Sequence, residues 1–361
     1  MKIGILGGGQ LARMLADAAK KIGIETVCID PDIECSAKFV TEVLHCKFDE
    51  VNQIINIFSD VDCVTYETEN LPYAHVEQLA EKLNIVPDIN ALRITQDRLF
   101  EKELFNSLNI PAPEYYAINS WKDLKKAIDC VGFPCVLKTR RSGYDGKGQA
   151  IIRSMNDAEF IWKKMHANNL ILEKFVPYDF EVSIIAASSK SGDIQFYPLT
   201  KNEHQNGILR ISQAPYPDKN LETSAQHYAR IILERFNYIG VMAIEFFCVN
   251  GSLIANEIAP RVHNSGHWSI EGAETSQFEN HLRAIVDLPL GSTTTHCYSA
   301  MINCIGKHPE NLDALRKLEG VQYHSYDKTA RDNRKLGHVT ICAESIVTLQ
   351  EILKSSISYL S

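Results

Sequence analysis

Two acids in a nearly apolar stretch carry the first chemical signal. In "AIEFFCVNGSLIANEIAPR", Glu245 and Glu257 flank Asn250-Gly251, a dipeptide that favours a two-residue hairpin loop. Parity decides what the acids can do. A strict two-residue loop pairs position 245 with 256 and sends the glutamates to opposite faces. A three-residue loop, or one bulge, pairs 245 with 257 and brings their Cβ atoms to about 5 Å. Two carboxylates held that close need a cation. Oxygen ligands alone favour Mg2+ carrying phosphates, with Mn2+ as the alternative. Asn256 adds a third oxygen beside Glu257. The expected metal ligands are Glu245 and Glu257, and the plain alternative is two exposed strand acids pointing apart.

A second segment is built for anions. "KTRRSGYDGKGQ", Lys138 to Gln149, has glycines at 143, 146 and 148 that let backbone N–H groups approach closely. Lys138, Arg140, Arg141 and Lys147 add positive charge. The Walker pattern is absent and no helix follows, so this reads as a phosphate-gripping loop between two strands. A glycine-rich turn on a solvated basic face is the competing reading. Directly after Glu257 comes "APRVHNSGHWSIEGAETSQFENH". Arg261, His263, Asn264, Ser265, Gly266 and His267 form a polar run with neither helical nor strand period, as expected of an active-site loop on a rigid sheet. Arg261 and His263 are the candidate catalysts, whereas His267 and Trp268 read as packing.

The N-terminus offers a rival. In "MKIGILGGGQLARML", Gly7-x-Gly9-x-x-Ala12 fits the dinucleotide fingerprint, and Asp30 lies where a ribose-binding acid falls. A nicotinamide-dependent dehydrogenase would follow from this stretch. That reading explains residues 1–32 only and leaves the anion loop and the acid hairpin without a purpose.

The elements that must position these residues fall into blocks. Over the first 95 residues, "KIGIL", "ETVCID" and "DCVTYE" read as strands, with helices at "QLARMLADAAKKIG", "VNQIINIF" and "YAHVEQLAEKLN". That alternation predicts a doubly wound parallel sheet. "QDRLFEKELFNSLNIPAPEYYAI" predicts an amphipathic helix stopped by Pro111 and Pro113. From about residue 115 the pattern turns to antiparallel strands: "FPCVLKTRRSGYDGKGQAIIR", "LILEKFV", "FEVSIIAAS", "IQFYPLT" and the acid hairpin. A last block ends in the helix "VTLQEILKSSISYL".

Bulk properties bound the class. A chain of 361 residues divides into two or three domains. The net charge of −8 argues against a generic nucleic-acid partner. No apolar run approaches the roughly 20 residues of a membrane span, and the N-terminus reads as strand and turn, not as a secretion signal. The 10 cysteines contain no C-x-x-C pair, which removes the zinc and redox motifs that spacing can reveal. They are expected to be reduced thiols of a cytoplasmic protein.

Larger motifs bring a resemblance. "GGGQLARML", "GYDGKGQ", the "EKFV" hinge, "YPLTKNEHQNGILR", "NEIAPRVHNSGHWSIEGAETSQFENHLRAI" and "RKLGH" together make the chain similar to the N5-carboxyaminoimidazole ribonucleotide synthetase family of ATP-grasp ligases. The resemblance covers essentially the whole chain. It implies an α/β and α+β architecture. A Rossmann-like, doubly wound pre-ATP-grasp domain (1–95) precedes an ATP-grasp domain (96–290, lid about 115–180) and a small C-terminal domain (291–361). It implies ATP-dependent carboxylation of 5-aminoimidazole ribonucleotide with bicarbonate through carboxyphosphate, in de novo purine synthesis. The family pattern is a homodimer.

Site roles follow from the same resemblance. Arg98 and Lys138 approach ATP, and Gly143, Tyr144, Asp145, Gly146, Lys147, Gly148 and Gln149 close over it. Glu173, Lys174, Phe175 and Val176 form the adenine hinge, Glu181 takes the ribose hydroxyls, and His204, Asn256 and Glu257 complete the nucleotide site. Arg261 and His263 sit with bicarbonate and carboxyphosphate. Gln10, Leu11, Glu67, Glu69, Tyr144 and Asp145 face the aminoimidazole ribonucleotide, and Arg334 and Lys335 take its phosphate, Lys335 also counting as catalytic. Asp30 becomes an ordinary strand-end acid. Two other readings compete: a formate-dependent glycinamide ribonucleotide transformylase, and a nucleotide-sensing module without turnover.

Overall fold

The computed structural model describes residues 1–143, 147–165 and 169–360. The expectations placed on Tyr144, Asp145 and Gly146 lie outside them. The first sheet contains β1 (Lys2–Leu6), β2 (Glu25–Asp30), β3 (Glu42–His45) and β4 (Cys63–Tyr66), in the order β3-β2-β1-β4 and parallel throughout. Its apolar runs are covered on both faces, as a parallel sheet requires. Ile5 of β1 and Leu15 of the first helix, Gln10–Lys21, join a core that reaches Trp268 and Met301, while Ile29, Val64 and Leu79 fill the other side. β3 has no counterpart in the sequence reading. It is a short edge strand with Glu42 and His45 exposed, so it lacks the apolar period that marks its neighbours.

The second sheet is antiparallel and separate. β5 (Tyr115–Ile118), β6 (Cys135–Thr139), β7 (Gln149–Ile152) and β8 (Leu170–Lys174) lie in the order β5-β8-β6-β7. Helices Trp121–Val131 and Met155–Met165 cover it, and Leu124, Ile128, Leu137 and Leu172 form its own core. The basic loop joins β6 to β7, with Lys138 directly opposite Gln149.

The third sheet organises the rest. It takes in β9 (Phe180–Ser188), β10 (Ile194–Phe196), β11 (Thr200–Gln205), β12 (Ile208–Ala214), β13 (Gly240–Val249), β14 (Ser252–Ala259), β15 (Tyr298–Ile305), β16 (Val321–Ser325) and β17 (Lys335–Ala343). The order is β14-β13-β9-β11-β12-β15-β17-β16, with β10 beside β9. The 18-residue helix Lys219–Phe236, capped by Asp218, buries Leu221, Ile232 and Leu233 against it. The sheet runs unbroken into the last block because β12 pairs with β15, Ile211 opposite Ile302. The closing helix Ile346–Ser358 seats Leu349 and Leu353 on that extension.

Candidate functional site

The acid hairpin resolves its parity with a bulge. Asn250 and Gly251 take positive φ values of 48° and 74°, and Val249 pairs with Ser252, so the loop is the tight one. Phe246 then faces Ala255, but the next pair is Glu245 with Glu257. Asn256 is the extra residue, and the bulge turns both acids to one side. One carboxylate oxygen from each and a ring nitrogen of His263 lie within 4.8 Å of one another. Burial pushes the Glu245 carboxyl up to about 7, and the negative Glu257 and Glu181 push the same way. An anion so disfavoured by its surroundings fits a divalent cation, and the oxygen donors fit a hard one such as Mg2+.

The bulge is clamped from behind by the helix Arg98–Ser107. Lys102 Nζ donates to the Asn256 carbonyl at 2.5 Å, and Glu101 Oε1 accepts from Ile258 N at 2.7 Å. Lys102 is 1% exposed and Glu101 2%. Burial raises the Glu101 carboxyl to about 8. Sequence reasoning missed both residues. The signal was present, since Glu101 shares a helical face with the buried Phe105 four positions on, and a charge on an apolar stripe needs a partner.

Arg261 and His263 are held from opposite sides of the cleft. Arg261 Nε donates to Glu69, at the end of the first sheet, and Nη1 donates to the Val262 carbonyl at 2.9 Å. Burial alone would raise the Glu69 carboxyl, but Arg261 outweighs it and lowers it. His263 sits at the end of a buried chain of hydrogen bonds. Ser212 Oγ donates to Asn202 Oδ1 at 2.8 Å, Asn202 Nδ2 to Ser183 Oγ at 3.0 Å, and Ser183 Oγ to Ser265 Oγ at 2.8 Å. Ser265 Oγ then meets His263 Nδ1 at 2.9 Å, and Ser265 N also donates to that atom. Nδ1 is therefore the acceptor, which leaves the ring proton on Nε2, 3.9 Å from Glu245 Oε1. Burial first, then Arg261 and Lys335, hold His263 well below its ordinary pKa and keep it neutral.

The nucleotide side of the cleft is a lattice of paired charges. Lys138 Nζ bonds Glu173 at 2.8 Å. Burial opposes ionisation of Glu173, but Lys102 and Lys138 overcome it and hold the carboxyl at about 2. Arg98 spans the start of the basic loop, donating to the carbonyls of Thr139 at 2.7 Å and Gly143 at 2.9 Å. Glu181 meets His204 Nδ1 at 2.5 Å. Burial disfavours the His204 cation, yet Glu181 and Glu245 raise its pKa to about 9. The cleft holds about 500 Å³. Its walls include Arg98, Lys138, Gly143, Gln149, Glu173, Lys174, Phe175, Val176, Glu181 and His204. They continue through Glu245, Asn256, Glu257, Arg261 and His263 to Gln10, Leu11, Glu69 and Lys335. Among the described residues, Lys147, Gly148, Glu67 and Arg334 are not on that wall.

The N-terminal glycine turn corrects two expectations. Glu67, expected to face the substrate, folds under the first helix instead. It accepts from Gly9 N at 2.8 Å and from Leu11 N and Ala12 N at 3.1 Å each. A side chain at position 9 would place Cβ 2.5 Å from the Glu67 Oε1 atom, so that glycine permits the cap. Asp30 is not an ordinary strand-end acid, since it accepts from Gly8 N at 2.7 Å. The protein's own carboxylates fill the positions where a dinucleotide pyrophosphate would sit. Arg334, expected at the substrate phosphate, donates from Nη1 to the Thr329 carbonyl at 3.2 Å. Lys328, unanticipated, reaches Gln10. It belongs to the same basic run as Arg334 and Lys335, which is the signal that could have found it.

Three sequence families match in order along the chain. The ribonucleotide synthetase pre-ATP-grasp domain matches residues 1–96, the ATP-grasp domain 103–278, and the phosphoribosylaminoimidazole carboxylase C-terminal domain 299–352. An N5-carboxyaminoimidazole ribonucleotide synthase of Pseudomonas aeruginosa is 43% identical over 350 residues, 97% of each chain. The chain belongs to the N5-carboxyaminoimidazole ribonucleotide synthase family. The synthetase structure from Thermus thermophilus superimposes with a TM-score of 0.95 at 43% identity, covering 99% of this chain and 98% of that one. The Aspergillus clavatus synthase, in complex with ADP and 5-aminoimidazole ribonucleotide, gives 0.92 at 28% identity, with 99% and 98% covered. In this synthase-family chain, all three sheets contribute to one cleft: Glu69 from the loop after β4 of the first, Lys138 and Glu173 from the second, Glu245 and Glu257 from the third.

Proposed function

We propose that this chain is an ATP-dependent ligase that carboxylates 5-aminoimidazole ribonucleotide with bicarbonate, giving N5-carboxyaminoimidazole ribonucleotide, ADP and phosphate in purine synthesis. The observation that carries the reading is the bulged Glu245–Glu257 pair facing Arg261 and His263 inside one continuous cleft. Both bicarbonate and the phosphates are anions, so the chemistry demands charge neutralisation and alignment rather than a strong base.

The roles divide along the cleft. ATP lies between the second and third sheets, its adenine against the backbone of Glu173–Val176, its ribose at Glu181 and its phosphates toward Lys138 and the Gly143–Gln149 loop. Glu245 and Glu257 would hold Mg2+, with Mn2+ as a substitute; when bound, the ion supplies charge neutralisation at the β- and γ-phosphates. Arg261 presents a fork for bicarbonate and carboxyphosphate. Neutral His263 donates from Nε2 and holds the proton there while the anion is positioned. Glu69 fixes the Arg261 fork and faces the aminoimidazole ribonucleotide from the same wall. The ribonucleotide lies at the end lined by Gln10, Leu11 and Lys335, with Lys328 beside it, and Lys335 binds its phosphate. Residues 1–95, 96–290 and 291–361 serve as the three functional blocks. A homodimer in the cytoplasm completes the proposal. No helix among the described residues is long and apolar enough to cross a membrane.

The test is an ADP-release assay with each component omitted in turn. ADP should appear only when ATP, Mg2+, bicarbonate and 5-aminoimidazole ribonucleotide are all present, and formate with glycinamide ribonucleotide should not replace the last two. Turnover on formate, or a nicotinamide bound at Gly7–Ala12, overturns the reading.

A further inference from the structure

Where β15 begins and β17 ends, two sulfurs and an imidazole converge. Position 342 lies opposite Ser299 in the β15–β17 ladder, and Cys297 stands just before β15. Ser299 Oγ is 3.2 Å from Cys297 Sγ and 3.6 Å from Cys342 Sγ. A ring nitrogen of His296 completes a group whose ligand atoms all lie within 4.8 Å of one another. None of the three residues lines the cleft.

We infer that His296, Cys297 and Cys342 form a second cation site, selective for a thiophilic divalent ion of which Zn2+ is the expected occupant. The spacing suits it. Zinc takes thiolate sulfur at about 2.3 Å and imidazole nitrogen at about 2.0 Å, so these tetrahedral ligands stand roughly 3.5–3.8 Å apart, inside the observed limit. Two thiolates and one imidazole balance the ion's charge, and binding displaces the thiol protons to solvent. The fourth position is open to water, because His296 is exposed. The ligand sets sort the ions: carboxylates Glu245 and Glu257 suit a hard cation, sulfur suits a soft one. The ion would clip the start of β15 to the end of β17. Spacing along the sequence conceals the site, since one cysteine precedes β15, the other lies on β17, and they form no C-x-x-C pair.

Titration of the reduced full-length protein with Co2+ tests this. Sulfur-to-cobalt charge-transfer absorption should saturate at one equivalent and disappear when Zn2+ displaces the probe. It should be absent in Cys297→Ser and in Cys342→Ser, and unchanged in Glu257→Gln. His296→Ala removes an exposed side chain and leaves packing alone. Loss of an outer-shell partner already costs about 10- to 100-fold in affinity, so losing this ligand should weaken Co2+ by at least about tenfold. No sulfur-to-cobalt band in the native protein, or a band that survives Cys297→Ser, overturns the inference.

Discussion

His281 is buried where the first and third sheets meet. Its Nδ1 accepts from Val241 N at 3.1 Å, and its Nε2 lies 2.9 Å from Thr65 Oγ1. Burial lowers its pKa from 6.5 to about 4. Above pH 6.5 neither the folded nor the unfolded chain protonates this ring. Between about 6.5 and 4 the unfolded chain takes up a proton that the folded chain refuses, so this group's contribution to stability is lost as pH falls through that window. The native protein should be more stable than His281→Gln at pH 7, and that advantage should shrink by roughly 3 kcal/mol on going to pH 4. Urea unfolding of both proteins across the window checks it, and a constant difference sinks it. At Arg261 the prediction concerns rate. Arg261→Ala should lower kcat by about 10²–10³-fold while KM for ATP stays within a few-fold, as for loss of a group that stabilises developing charge. Steady-state kinetics with saturating bicarbonate decide it. Residue type was legible for Arg261 and His263 because their polar run follows the acid hairpin. It misled at Glu67, whose neighbours are the free N–H groups of a helix, a partnership that only tertiary structure creates.

Within elements, register carries the chemistry. The Asn250-Gly251 turn was readable, and so were the two ways of pairing the acids. Which one occurs depends on a bulge that Lys102 and Glu101 hold from another helix, and no local propensity encodes that. Lys102→Met should therefore act twice. It removes one of the two cations that keep Glu173 ionised, Lys138 remaining bonded to that carboxylate, and with a buried hydrogen bond lost it should cost about 1–3 kcal/mol in denaturant unfolding. It also frees the Asn256 carbonyl, so half-maximal activity should need more Mg2+; unchanged metal demand would show that the bulge persists without the clamp. The serine chain on β9, β11 and β12 makes a second element-scale prediction. Ser265→Ala removes the hydroxyl that orients His263 Nδ1, and kcat should fall about 10- to 100-fold with ATP affinity kept. Ser265→Thr should restore part of it, which a purely structural role would not produce.

At the scale of the molecule, alternation of strands and helices announced the parallel first sheet, and antiparallel patterning announced the rest. Continuity of the third sheet was not legible, because a strand's partner across about ninety residues, Ile211 with Ile302, leaves no local mark. That continuity makes the last block structural as well as functional. Met301 and Tyr326 sit in the same buried cluster as Ile3, Leu15 and Trp268, and Ser36 Oγ donates to the Tyr326 carbonyl at 2.7 Å. Removing it would strip β12 of its neighbour and expose an unpaired edge beside apolar core. A chain ended after Gly291 should therefore aggregate or bind hydrophobic dyes. The full chain should lose the near-ultraviolet signals of Trp268, which bonds Thr200 of the third sheet, and of Tyr326 in the last block in one transition. A soluble 1–291 piece with native aromatic signals would show instead that β15–β17 dock on a sheet that is complete without them.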